Sequence, residues 1–149
     1  MLGPLHRLLA YLVLALLFAS GLAHFLLRDY FQLPGPFGPA PRPLQTTMLR
    51  IHGGAAMAAL VLLGSVFGAH VLRFWRQRQN RVAGALFLGG LALLIFSGYG
   101  LYYLDDEALR GWTRDSHIAT GLAVLPLFFW HLRRGRGRGG RATCARTSA

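Results

Sequence analysis

Four runs of apolar residues, about 5–27, 48–72, 82–104 and 112–132, leave this chain of 149 residues few ways to fold. Each has roughly the 20 residues that an α-helix needs to cross a ~30 Å hydrocarbon core. Backbone N–H and C=O groups in lipid have no water to bond, so a span must satisfy its own, and a helix does so within one segment. None of the four runs shows the alternation of a barrel strand. Composition agrees: 54% of the residues are hydrophobic and 14% charged, whereas soluble domains carry about a quarter charged. That is too few to cover a water-facing surface. The pattern predicts an all-α integral membrane protein, a four-helix bundle over residues 1–134, and excludes an ordinary soluble enzyme.

The connections differ in character. Segment 29–47 is proline-rich, from Leu33-Pro34-Gly35-Pro36-Phe37-Gly38-Pro39 to Pro43, and cannot continue a helix. Residues 73–81 form a short basic turn and 105–111 a short acidic one. From Arg133 the chain is rich in Arg and Gly, which predicts a disordered basic tail over 135–149. Cys144, the lone cysteine, lies in that tail. It reads as a stray thiol, and without a Cys-x-x-Cys-His motif there is neither covalent c-type haem nor an internal disulfide.

All sixteen basic residues are Arg, and the formal net charge is +11. With the N-terminus inside, eleven arginines fall at the inner face and five at the outer, where all five acids also lie. The positive-inside rule therefore places both termini on the cytoplasmic side, N-in/C-in. The arginines lie between apolar runs and not along a folded polar face, so the expected partner is anionic lipid and not nucleic acid. Arg7, the apolar run and the small residues 19–23 also fit a cleaved leader. The run continues to Leu27, however, which suits a span better.

Histidine carries the functional information. All six fall inside or at the end of a predicted span: His6 and His24 in the first, His52 and His70 in the second, His117 and His131 in the fourth. Ionisable side chains in a bilayer are rare and face the bundle interior or a functional site. His117 and His131 are fourteen apart, about 21 Å of helical rise and within ~40° of one face. His52 and His70 are eighteen apart, about 27 Å, or five whole turns. In the predicted orientation His52 and His117 share an outer level. His131 lies at an inner level, with His6 or His70 as its partner. Two neutral imidazoles from facing helices at one depth make the axial pair of a non-covalent b-type haem, so two layers make two haems.

The surroundings suit that reading. Gly121 follows His117 by one turn, and Gly53, Gly54, Ala55 and Ala56 follow His52, which leaves room for a flat macrocycle. Arg50 and Arg114 near the outer level, and Arg73, Arg133 and Arg134 near the inner one, suit haem propionates. Blander readings cover other features. His24 reads as an interfacial polar residue beside Arg28 and Asp29. The small residues at 64–68 and Gly89, Gly90, Gly98 and Gly100 read as close helix packing. Trp75, Trp112, Trp130, Tyr102 and Tyr103 read as the interfacial aromatic belt. Pro126 is placed to kink the fourth helix.

Several short motifs together carry a family resemblance. These are Leu5-His6-Arg7 followed by Ala19-Ser20-Gly21, then Leu49-Arg50-Ile51-His52-Gly53, then Ser97-Gly98, then His117-Ile118-Ala119-Thr120-Gly121 continuing to Trp130-His131. As a set, over residues 5–134, they resemble the four-helix di-haem cytochrome b subunits of bacterial formate dehydrogenases and nickel-iron hydrogenases. The resemblance implies an outer haem held by His52 and His117 and an inner haem held by His6 and His131. It also implies electron transfer between a redox partner at the outer face and a quinone near the inner haem, with no catalysis by the chain itself. His6 is followed by Arg7 where the family has an aromatic, and His70 stays open as the alternative inner ligand. Asp105-Asp106-Glu107 and the proline-rich loop form the outer face where a redox subunit or basic cytochrome would dock. The competing reading is a haem-free transport, assembly or anchor protein using intramembrane His. It lacks the intramembrane carboxylate, broken helices and inverted repeat of a transporter.

Overall fold

The computed structural model describes residues 3–36, 38–72 and 81–144. It is helical apart from one small hairpin. The elements are α1 (Pro4–Asp29), β1 (Leu33–Gly35), β2 (Gly38–Ala40), α2 (Pro43–Val66), a π-helical segment (Phe67–Leu72), α3 (Arg81–Tyr103) and α4 (Glu107–Cys144). The chain divides into two compact units, Met1–Arg73 and Phe74–Ala149. In the first, α1 packs on α2; in the second, α3 packs on α4.

Among the described residues three helices, α1, α2 and α3, are long and apolar enough to cross a membrane. The fourth predicted span is helical, but α4 is not among them. His117, Thr120, Pro126, Trp130 and His131 all fall in its apolar stretch and dilute it. Burial within the described residues is inverted relative to a soluble protein. The buried residues are small: Ser20, Ala55, Ala83 and Gly90, with Ser20 3% and Ala83 1% exposed. Large apolar side chains point outward, Val61 at 72% and Phe96 at 75% exposed. Small residues let helix backbones approach closely, while the apolar exterior suits lipid. Gly90 shows how close: a Cβ there would lie 2.8 Å from Val124 Cγ2, so for Gly90 the packing reading holds.

Element boundaries move for local reasons. Both α1 and α2 begin with proline at the first helical position, where the missing N–H has no intrahelical partner to lose. Pro43 therefore starts α2 five residues before the predicted Met48. Within the proline-rich loop, β1 and β2 pair antiparallel with Leu33 opposite Ala40, Pro34 opposite Pro39 and Gly35 opposite Gly38. The two prolines, which have no N–H, face each other, and antiparallel ladders alternate bonded and non-bonded pairs. Gly38 takes a φ of +115°, and a Cβ on Gly35 would lie 2.7 Å from the Gly38 carbonyl. This turn requires glycine at both positions.

Two corrections concern the helix ends. α2 does not run to Leu72 as an α-helix; from Phe67 it becomes a π-helix with its looser i→i+5 winding. The five-whole-turn count that put His70 on the face of His52 therefore does not apply. The tail from 135 was expected to be disordered, whereas α4 continues to Cys144. Arg forms helix almost as well as Leu, and an established helix extends by one bond per residue. The basic turn at 73–80 and the end of the tail, 145–149, lie outside the described residues.

α4 also starts earlier than Trp112. Asp106 Oδ1 accepts the Leu109 backbone N–H at 2.7 Å, the bond of an N-cap side chain to the first turn. Asp106 is therefore a cap as well as part of the acidic run Asp105-Asp106-Glu107. Asp106→Ala is expected to lower stability by about 1 kcal/mol, read as a lower thermal midpoint of the detergent-solubilised protein. Asp106→Asn, which keeps the acceptor, should restore most of it.

Candidate functional site

The histidines on α2 and α4 rest on the preceding helix of their own unit, and the two units repeat one arrangement. In the first, His52 Nδ1 lies 2.9 Å from the Leu17 carbonyl oxygen of α1 and 3.5 Å from Ser20 Oγ. A carbonyl only accepts, so Nδ1 carries the proton and donates it. Gly21 floors the seat: a Cβ there would lie 2.7 Å from His52 Cε1 and 2.9 Å from Nδ1.

In the second unit His117 Nδ1 lies 2.8 Å from Ser97 Oγ of α3. The Ser97 hydroxyl donates to the Leu93 carbonyl at 2.6 Å, so its oxygen accepts the His117 Nδ1–H. Gly98 is the floor, its hypothetical Cβ 3.4 Å from His117 Cε1. Both seats are thus a Ser-Gly step under an imidazole. Ser20 lies sixteen residues after the start of α1 and Ser97 sixteen after the start of α3. His52 lies nine after the start of α2 and His117 ten after the start of α4.

Each arrangement fixes the tautomer. With the proton on Nδ1, the lone pair sits on Nε2, the form in which a neutral imidazole ligates a metal. A bond from the other ring nitrogen to a carbonyl or hydroxyl oxygen is how ligating histidines are oriented. Gly121, expected to make room beside His117, turns toward α3, its hypothetical Cβ 3.8 Å from Leu94 Cδ2. Gly54 has nothing within 4 Å of such an atom.

A second level lies further along each pair. His131 stacks on Phe87 of α3, ring centroids 5.7 Å apart and planes 17° off parallel. A Cβ on Gly84 would lie 3.8 Å from His131 Cε1. In the first unit His6 Nε2 lies 3.1 Å from Ser65 Oγ of α2. Ser65 donates its own proton to the Leu62 carbonyl at 2.7 Å, so His6 is protonated on Nε2 and carries its lone pair on Nδ1. Ser65 is thirteen residues from His52, and His131 is fourteen from His117, so the two levels are about 20 and 21 Å apart along their helices. His70 lies in the π segment, and its side chain is outside the described residues.

The remaining groups have local roles. His24 Nδ1 donates to the Gln45 carbonyl at 3.1 Å and ties the end of α1 to the first turn of α2, in keeping with a structural reading. The Arg134 guanidinium lies 4.7 Å over the Trp130 ring, a cation–π contact within α4. Arg114 pairs with the neighbouring Asp115 at 3.5 Å, an exposed contact worth little.

Sequence reasoning missed the part played by α3. Gly98 read as packing and Ser97-Gly98 as one short family motif with no contact assigned, yet Ser97-Gly98 seats His117, and Gly84 with Phe87 seats His131. A signal was present: Gly84 and Gly98 are fourteen apart, the same spacing as His117 and His131. Comparison with protein-family models, with curated proteins and with solved structures gave no match.

Proposed function

We propose that this chain is a membrane b-type cytochrome that carries electrons across the bilayer through two bis-His haems. It would link a redox partner at the outer face to the quinone pool and perform no catalysis of its own. The observation that carries this reading is the repeated seat. In each helix pair a Ser-Gly step supports an imidazole whose proton is held on Nδ1 by an oxygen acceptor, at 2.9 Å for His52 and 2.8 Å for His117. An imidazole serving only as an interfacial polar group has no need of a fixed tautomer or of glycine beneath it.

In this reading His52 and His117 are the outer axial pair, and His131 with His6 the inner pair. The spacing of the levels favours His6 over His70. His6 meets α2 about 20 Å from His52, close to the about 21 Å between His117 and His131, whereas His70 lies beyond the α-helical part of α2, in the π segment. When bound, haem supplies a reversible one-electron couple. The chain supplies axial nitrogens, a low-dielectric surround and oxygen acceptors for the imidazole N–H groups that set how basic those nitrogens are. Expected surroundings are a bacterial inner membrane with both termini cytoplasmic, lipid around the helices, and a partner at the acidic outer face.

The test is haem per polypeptide on detergent-purified protein expressed with ample haem, by pyridine haemochromogen and a reduced-minus-oxidised spectrum. Two b haems per chain are expected. None would overturn the reading and favour the haem-free transport or anchor alternative.

A further inference from the structure

The two seats are alike in layout but not in chemistry. In the α1–α2 unit the acceptor for the His52 proton is a main-chain carbonyl, Leu17 at 2.9 Å, and Ser20 Oγ stands off at 3.5 Å. Ser20 donates to the Leu16 carbonyl at 2.7 Å and is 3% exposed; it fills the seat. In the α3–α4 unit the acceptor is the side-chain oxygen of Ser97 at 2.8 Å, and Ser97 in turn donates to Leu93 at 2.6 Å. The result is a relay from the imidazole N–H to a hydroxyl and from the hydroxyl to a backbone carbonyl. Each bond in such a chain polarises the next, so the Ser97 oxygen is a better acceptor for being a donor.

We propose that Ser97 is the positioning residue for His117, fixing its Nδ1–H tautomer and raising the electron density at Nε2, and that Ser20 has no such role toward His52. The tautomer half of this rests on geometry alone; the electronic half rests on the haem reading above. A more basic axial nitrogen favours the oxidised iron over the reduced one, so the Ser97 hydroxyl holds the potential of that haem down. The difference makes the two axial ligands of that one haem unequal through one removable oxygen.

The test compares Ser97→Ala, Ser97→Thr and Ser20→Ala in the full chain in detergent. The first readout is the ¹⁵N shift of labelled His117, which reports the tautomer with or without haem. The second is a spectroelectrochemical titration of the haems. Ser97→Ala is expected to populate the Nε2–H tautomer of haem-free protein. In the loaded protein it should raise the reduced-to-oxidised ratio of one haem about tenfold at fixed poise, or about 59 mV for a one-electron couple. Ser97→Thr, which keeps the hydroxyl, should match the wild type, and Ser20→Ala should leave the His117 tautomer unchanged and move the titration less than Ser97→Ala does. Should the alanine variant not fold, Ser97→Cys retains the volume with a weaker acceptor and should move both readouts the same way by less. An unchanged His117 tautomer, or an equal response to Ser20→Ala, overturns the proposal. Absence of haem from the wild type overturns the electronic half and the function proposed above, while the tautomer shift still decides the role of Ser97.

Discussion

His117→Ala is expected to yield a folded protein that retains one of the two proposed haems, and His52→Ala to give the same product. A b-type haem has no covalent tether, so losing one imidazole of an axial pair removes a strong bond and leaves the other ligand with an open coordination position. The second level is about 21 Å away along α4, beyond the ~10 Å within which changes at one site usually couple to another. It should therefore keep its haem. His6→Ala should remove the other haem, leaving the one the first two variants lose, and His70→Ala should leave both. His24→Ala should also keep both and lose only the 3.1 Å bond to the Gln45 carbonyl, about 0.5–1.5 kcal/mol. The measurement is haem content of each variant together with the spectrum of the haem that remains. Loss of a haem from His70→Ala but not from His6→Ala would show that the level argument chose the wrong inner ligand. Full haem content in both His52→Ala and His117→Ala would remove the proposed outer pair.

The helices were legible in the sequence because bilayer thickness imposes a length that few other constraints mimic, and α1 and α3 fall within two residues of their predicted ends. Helical rise likewise converts the spacing of histidines on one helix to a distance along it. What sequence concealed were the properties that depend on local backbone winding or on which face meets which. The π segment from Phe67 to Leu72 undoes a turn count that was sound for an α-helix. Pro43 and Asp106 extend α2 and α4 outward by first-turn chemistry that hydropathy does not register. The α3 seats were hidden because glycine has one signature for two uses. At Gly90 it admits Val124 of a packed helix, whereas at Gly98 it admits an imidazole. Only the identity of the neighbour separates the two.

That neighbour gives Gly21→Ala its expected effect, the largest among the glycines that seat an imidazole. In the body of a helix alanine is favoured over glycine by roughly 0.5–1 kcal/mol, so on propensity alone α1 should gain stability. Against this, the new Cβ would stand 2.7 Å from His52 Cε1 and 2.9 Å from Nδ1, inside van der Waals contact. The ring cannot simply slide away, because its Nδ1 is tied to Leu17, one turn earlier on the same helix. Relief requires either breaking that bond or separating α1 from α2, and overpacking of this kind typically costs about 1–3 kcal/mol. Gly98→Ala brings the Cβ only to 3.4 Å from His117 Cε1, a few tenths of an ångström from comfort, and should be milder. Gly89→Ala, with nothing within 4 Å on the exposed side of α3, should be neutral or stabilising. The expected order of damage to thermal stability and to haem retention is therefore Gly21→Ala, then Gly98→Ala, then Gly89→Ala. Equal behaviour of the Gly21 and Gly89 variants would mean that His52 does not rest on α1. The tautomer argued from that contact would then lose its support, whatever the haem count.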